Sequence, residues 1–437
     1  MRMLRWGARG ACEEVLVLGV GGLGLILAMI VVVLVLTSLV LRGVLPRVED
    51  ARVRRQTKVL EGVSVLSPPD QTIPRNSAAL RLEAAAADLG VALAPLQSPH
   101  RARPSSEAAA ALAQVAGAFV DPRRPSPWPE AARYVAWHTT TNRQVDALVA
   151  TSLQGEPPQW RIDADRPCQP DLELGGMLLL QHVLLSEAWI AIVEHRSDAA
   201  SRLLHASWRV NESLLQSPEL AVHDTAIAAL EDLLAMLRLA PGRTLLSERR
   251  LASVDPMAST RGAYLFEARR ARRRAQNMLW GQQRQVRFMV RPFGMLAAMP
   301  QETLLVEAVT RLDPARVTHF DADVFAADLD RRMPRWNALA RRAMPSSWQS
   351  WPRSVHAALA LDLTKHTLEV RRRVREGGGS LDRLPVAWPD PVTGGRWVCR
   401  RAGRQVVIAL EPNPFSEGGW PALRQSVAVA RDDADGA

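Results

Sequence analysis

The alternation of apolar and polar positions divides this chain into one long uncharged run and a series of shorter periodic segments. Val15 to Leu41 is built almost wholly from Val, Leu, Ile, Gly, Ala and Met, with no charge inside it. At 1.5 Å per residue, about 20 such residues cross a bilayer core, so the run predicts a transmembrane helix. It is longer than the apolar region of a cleaved signal peptide, and Arg42 follows it at once as a stop-transfer flank. Residues 1–14 form a short basic tail. From Arg47 to Leu60 a charged stretch with Val48, Val53 and Val59 reads as a continuation of the anchor helix or a stalk, within a juxtamembrane segment 42–75.

Past the stalk the pattern turns helical. Ser77–Leu89 and Ser106–Phe119 are Ala-rich helix candidates, set among Pro/Ser/Arg-rich connections from Pro95 to Pro104 and from Pro122 to Pro129. Leu174–Glu194 is apolar on nearly all sides and predicts a buried core helix. Ser197 is the expected cap of a helix with a face at Leu204, Trp208, Asn211 and Leu215. Ser217-Pro218-Glu219 reads as the next helix start, with a face at Ile227, Leu230, Leu234 and Leu237 that Pro241-Gly242 stops. Three consecutive helices with short breaks predict an antiparallel bundle. A further helix, Ser354–Glu376, stops at Gly377-Gly378-Gly379. The period then changes. Arg396–Arg401 and Gln405–Leu410, separated by Ala402-Gly403-Arg404, have the signature of a β-hairpin, with turn chemistry ahead of them at Pro389-Asp390-Pro391 and Thr393-Gly394-Gly395. The fold class is therefore mainly α: an N-terminal transmembrane helix, a helical domain over 76–376, and a small C-terminal hairpin module over 377–428. A disordered acidic tail is expected over 429–437. A cut after Gly378 is expected to leave the helical body folded.

Composition changes this picture little. The chain has 437 residues, 47% of them apolar, enough for a sizeable core in one or two domains. Its net charge of +10 comes almost entirely from Arg, with Lys only at Lys58 and Lys365. Abundant Ala, Arg, Gly, Pro and Trp with scarce Tyr, Phe and Asn is what a GC-rich genome writes, which points to a bacterial origin and makes basicity weak evidence for nucleic acid. Cys12 follows no lipobox. Cys168 and Cys399 could pair in an oxidising compartment, although two unrelated buried thiols is the simpler reading. The charges flanking the anchor conflict: counting Arg42, Arg47, Arg52, Arg54, Arg55 and Lys58 places the large domain in the cytoplasm. A short tail with Arg2, Arg5 and Arg9 ahead of a first apolar segment favours N-inside with the body in the periplasm. The second orientation is preferred.

The segment "LDRLPVAWPDPVTGG" followed by a hairpin, together with the central "SDAASRLLHASWRVNESLL", resembles uncharacterised bacterial single-pass envelope proteins. In those an Asp-Pro-x-Ser/Thr-Gly turn precedes two short strands that finish a helical ectodomain. The resemblance implies an anchored helical protein and brings no catalytic residues with it. The leader also superficially resembles that of a prepilin, but Glu13 and Glu14 fall before the expected position and the body is larger than a pseudopilin head.

Candidate chemistry is sparse. Asp362 and His366 stand four apart on one predicted helix, a spacing that could hold metal but fits a solvated surface pair better. "GVGGLG" at Gly19–Gly24 imitates a dinucleotide fingerprint inside the apolar run, where glycines more simply allow close helix approach. No Gly-x-Ser-x-Gly, His-Glu-x-x-His or P-loop motif occurs, and no cofactor or metal is indicated. The strongest charged feature is Arg269, Arg270, Arg272, Arg273 and Arg274, with Phe266, Met278 and Trp280 interleaved, a composition suited to anionic headgroups or an acidic partner. A solvated helix face is the plainer alternative. The expected function is a non-enzymatic envelope interaction or assembly component, anchored in the bilayer through Val15–Leu41. The competing class is a membrane-anchored hydrolase with a site assembled from dispersed residues, and a pseudopilin-like secretion component is a minor third.

Overall fold

A computed structural model of the chain describes residues 7–61, 63, 65, 72–93, 110–113, 132–162, 172–240, 248–278, 299–335, 337, 348–376, 386–403, 405–416, 420 and 422–428. Among the described residues the protein is 70% helical, with one small C-terminal antiparallel sheet. Helix α1 (Gly7–Leu60) is one continuous element running through both the apolar run and the charged stretch after it. Then follow α2 (Ser77–Asp88), α3 (Ala132–Leu153), α4 (Leu174–Val193), α5 (Ser197–Leu215), α6 (Leu220–Leu239), α7 (Glu248–Ala252) and α8 (Pro256–Met278). Helix α9 (299–310), a 3₁₀ turn (Pro314–His319), α10 (Ala322–Arg332) and α11 (Ser350–Glu376) complete the helical part. Of the helix expected over 106–119, the described residues 110–113 are helical. Cys168, Trp280, the glycines after Glu376 and the acidic tail lie outside the described residues.

The centre is helical because its apolar faces are. Helix α4 buries Met177, Leu180, Val183, Leu184, Leu185 and Ala188, and it is flanked by α5 and α6. The expected faces of both neighbours are the buried ones: Leu204, Trp208, Asn211 and Leu215 on α5, and Ile227, Leu230, Leu234 and Leu237 on α6. Helix α11 lies against α6 and α8. The two expected starts are shifted, however. Arg196, not Ser197, holds the cap position of α5, and α6 begins at Leu220 with Glu219 as its cap and Pro218 outside it; neither cap makes a side-chain bond. What fixes the α4–α5 turn is backbone geometry. His195 takes a left-handed φ of 58°, which lets Arg196 N–H reach Ala191 C=O at 2.7 Å and His195 N–H reach Ile192 C=O at 3.1 Å. This closure normally uses glycine.

The C-terminal element is larger than a hairpin. Four strands, β1 (Ala387–Pro389), β2 (Arg396–Ala402), β3 (Gln405–Glu411) and β4 (Arg424–Ala428), form an antiparallel meander in sequence order. The β2–β3 pair matches the expected hairpin, with Trp397 opposite Leu410 and Cys399 opposite Ile408. Asp390 builds the turn ahead of it. Its carboxylate accepts Val392 N–H at 2.8 Å, Thr393 N–H at 3.0 Å and the Thr393 hydroxyl, while Gly394 supplies the φ of +76° the turn requires. Trp397, Val406, Ile408, Leu410 and Val427 face inward and join the same apolar core as the helices, because β3 and β4 pack on α11. The sheet therefore closes the core, and a cut after Gly378 would uncover α11.

Candidate functional site

Four separated segments converge on an open cleft of about 760 Å³. One wall is a stripe of α6, where Asp224, Ile227, Ala228 and Glu231 fall at i, i+3, i+4 and i+7 and so share a face. The rest of the lining is Phe320–Asp323, at the entry to α10, Gln349, Pro352 and Arg353, at the start of α11, and Trp420. Each acid is held. Asp321 caps α10, accepting from Asp323 N–H and Val324 N–H at 2.9 Å. Glu231 accepts from His356 Nδ1 at 2.5 Å. Asp224 is hydrogen-bonded by Ser350 and faces Arg353, yet burial pushes its carboxyl above the usual carboxylate range. An aromatic stack backs this region: Tyr264 lies 4.5 Å from Trp348, which meets Phe325 edge-on at 4.9 Å, and Phe325 contacts Phe320 at 5.2 Å. His356 forms a three-ring cluster with Phe415 and Trp420, whose centroids are 5.1 and 5.2 Å from its own and 4.9 Å from each other. The cleft thus offers carboxylates around a part-apolar floor, an arrangement that can hold a cation.

Beneath it runs a sealed polar network. His223 is fully buried, with Nε2 2.6 Å from the Thr260 hydroxyl and Nδ1 3.2 Å from the Ser259 hydroxyl. Thr260 in turn meets Ser354. Burial pushes the His223 imidazole down to about 3. A serine beside a histidine invites comparison with a nucleophile and its base, but Thr260, Ser354 and His223 have no exposed surface, so the group joins α6, α8 and α11. Two further pairs link helices. His138 on α3 meets Glu187 on α4 at 2.5 Å, and this carboxylate raises the His138 pKa. His182 on α4 meets Asp232 on α6 at 3.0 Å.

The sites expected from sequence fare differently. Arg270 belongs to the interior: its side chain is 3% exposed, 3.2 Å from Glu219 and 3.5 Å from Glu267. Phe266 is also buried, packing with Ile162. These two residues are therefore withdrawn from any membrane or partner surface, because opposing carboxylates and an apolar pocket claim them. Arg269 is partly exposed; Arg272, Arg273 and Arg274 continue α8, and Trp280 lies outside the described residues. Asp362 and His366 do not form a metal pair. Asp362 bonds Lys365 at 3.1 Å, while His366 stacks on Trp388 at 4.5 Å and burial lowers its pKa. No group of three or more metal-ligating side chains occurs among the described residues. Sequence reasoning missed the cleft entirely; the mixed acid and apolar stripe on α6 was its one local signal.

Comparison of the chain with protein-family models, with curated proteins and with solved structures finds no match.

Proposed function

We propose that this chain is a bacterial single-pass envelope protein, akin to the uncharacterised proteins its C-terminal turn and hairpin resemble, that acts as a non-enzymatic interaction or assembly component. The observation that carries the proposal is the surface of α1. Ala28–Leu45 is long and apolar enough to cross a bilayer, and most of that surface is left bare, with Met29 at 62% exposure and Val40 at 65%. Helix α4 passes the same test of length and composition but is 72% buried, which makes it a core helix. Bare apolar surface on such a scale costs about 25 cal/mol per Å² in water and demands a cover. Below the apolar stretch α1 is docked to the body: Arg52 is 2.6 Å from Glu302 on α9 and 2.7 Å from Glu49. The anchor and body are therefore joined by a helix with an ion-paired foothold, a geometry suited to holding a binding surface at a fixed height above lipid.

The body is placed outside the cytoplasm on the strength of the short Arg-bearing tail. A reporter active only in the periplasm, fused after Ala437, is expected to be active. Activity of a cytoplasm-only reporter at the same position would reverse the orientation.

A further inference from the structure

We propose that the cleft between α6, α10 and α11 is a docking site for a basic peptide segment, whose guanidinium or ammonium groups meet Asp224 and Glu231 while their aliphatic stems lie on Ile227, Ala228 and Pro352. This rests on the reading of the chain as an interaction component and names the chemistry of its partner.

The first argument is charge. The chain as a whole carries 55 Lys and Arg against 45 Asp and Glu. Among the described residues that line the cleft the balance is reversed: Asp224, Glu231, Asp321 and Asp323 against Arg353. Composition would place arginines here, so the reversal belongs to the site. The second is shape. Asp321, Asp323, Gln349 and Arg353 are exposed at the mouth, whereas Ile227 is buried and Ala228, Phe320 and Trp420 are partly buried below them. An acidic rim over an apolar and aromatic floor matches a long basic side chain, which carries a methylene stem and a charged head. Trp420 and Phe320 add ring faces of the kind that attract such cations.

Spacing selects a peptide over a lone cation. Asp224 and Glu231 stand two turns apart on α6, about 10 Å along its axis. A single small cation cannot reach both. In an extended polyproline-type segment, residues three apart lie on one side at a separation of about 9 Å, so two basic residues in that register span the pair. The volume, about 760 Å³, accommodates both stems.

The test uses the full chain in nanodiscs of zwitterionic lipid, with a fluorescein-labelled, capped tetra-arginine peptide as the probe. Saturable binding is expected, weakening with added salt, and a capped tetra-glutamate peptide should not bind. Asp224→Asn together with Glu231→Gln keeps the hydrogen bonds to Ser350 and His356 and removes two charges, which should weaken binding about tenfold or more. Trp420→Leu should weaken it about threefold. Asp50→Asn, on the exposed side of α1, should leave it unchanged. Circular dichroism melts matching the parent establish that each variant is folded. Equal affinity in the parent and the double variant, or no binding to the parent, overturns the proposal. If arginine amide displaces the peptide at equal concentration, the site holds single cations and the peptide assignment falls. Any of these results leaves the membrane anchoring untouched, since that is read by extraction from membranes.

Discussion

His223 should make the stability of this protein fall with acid in a way that one substitution removes. The imidazole has hydroxyl neighbours on both nitrogens and no exposed surface, so a neutral ring is accommodated and a charged one is not. Its folded pKa of about 3 lies below the unfolded value of 6.5. In the intervening range the unfolded chain binds the proton that the folded chain refuses, and stability therefore falls as pH drops from 6.5 towards 3. Each pH unit well inside that window is worth about 1.4 kcal/mol, which gives about 2 kcal/mol between pH 6 and pH 4.5. His223→Gln retains one donor and one acceptor but cannot titrate. Denaturant melts of the full chain in detergent, followed by circular dichroism at both pH values, isolate the effect as the difference between parent and variant. Asp224 and Asp232, whose pKa values burial raises, contribute in the opposite sense but equally to both proteins and cancel. A difference that changes by less than about 0.5 kcal/mol between the two pH values would refute the reasoning.

Three further outcomes follow from packing and charge. Trp397→Ala removes a side chain with 0% exposure from the junction of sheet and helices and should cost about 3–5 kcal/mol in a denaturant melt; a loss below about 1 kcal/mol would mean the sheet is not part of the core. Arg270→Gln removes the buried cation paired with Glu219 and should destabilise by about 3–5 kcal/mol, whereas Arg269→Gln should change stability by less than about 0.5 kcal/mol. His195→Gly relieves a left-handed Cβ in the α4–α5 turn and should raise stability by about 0.5–1 kcal/mol in the same assay.

Much of the helical part was legible because its signal is local. The faces of α5 and α6 repeat at 3.6 residues and each is buried, while α4, apolar on nearly all sides, is buried on nearly all sides. Caps were harder. Ser197 and Ser217-Pro218 have the composition of helix starts, but the left-handed turn at His195 and the buried Glu219–Arg270 pair set the actual boundaries. Strands β1 and β4 escaped notice: Ala387–Pro389 contains a proline, and in Arg424–Ala428 only Val427 is buried. Arg270 was misplaced because a run of arginines looks the same whether or not a distant glutamate neutralises one of them. The cleft was invisible for a similar reason. Asp224, Asp321, Arg353 and Trp420 come from segments far apart in sequence, and no window of the chain holds the pattern they form together.

The apolar part of α1, Ala28–Leu45, is proposed to be buried in lipid and not merely attached to it. Washing membranes from cells that make the full chain with alkaline carbonate tests this directly, because the treatment strips peripheral proteins and leaves bilayer-spanning helices in place. The bare apolar surface between Met29 and Val44 predicts that the protein stays in the membrane pellet while a chain lacking residues 1–45 stays in solution. Recovery of the full-length protein in the carbonate supernatant would contradict the account.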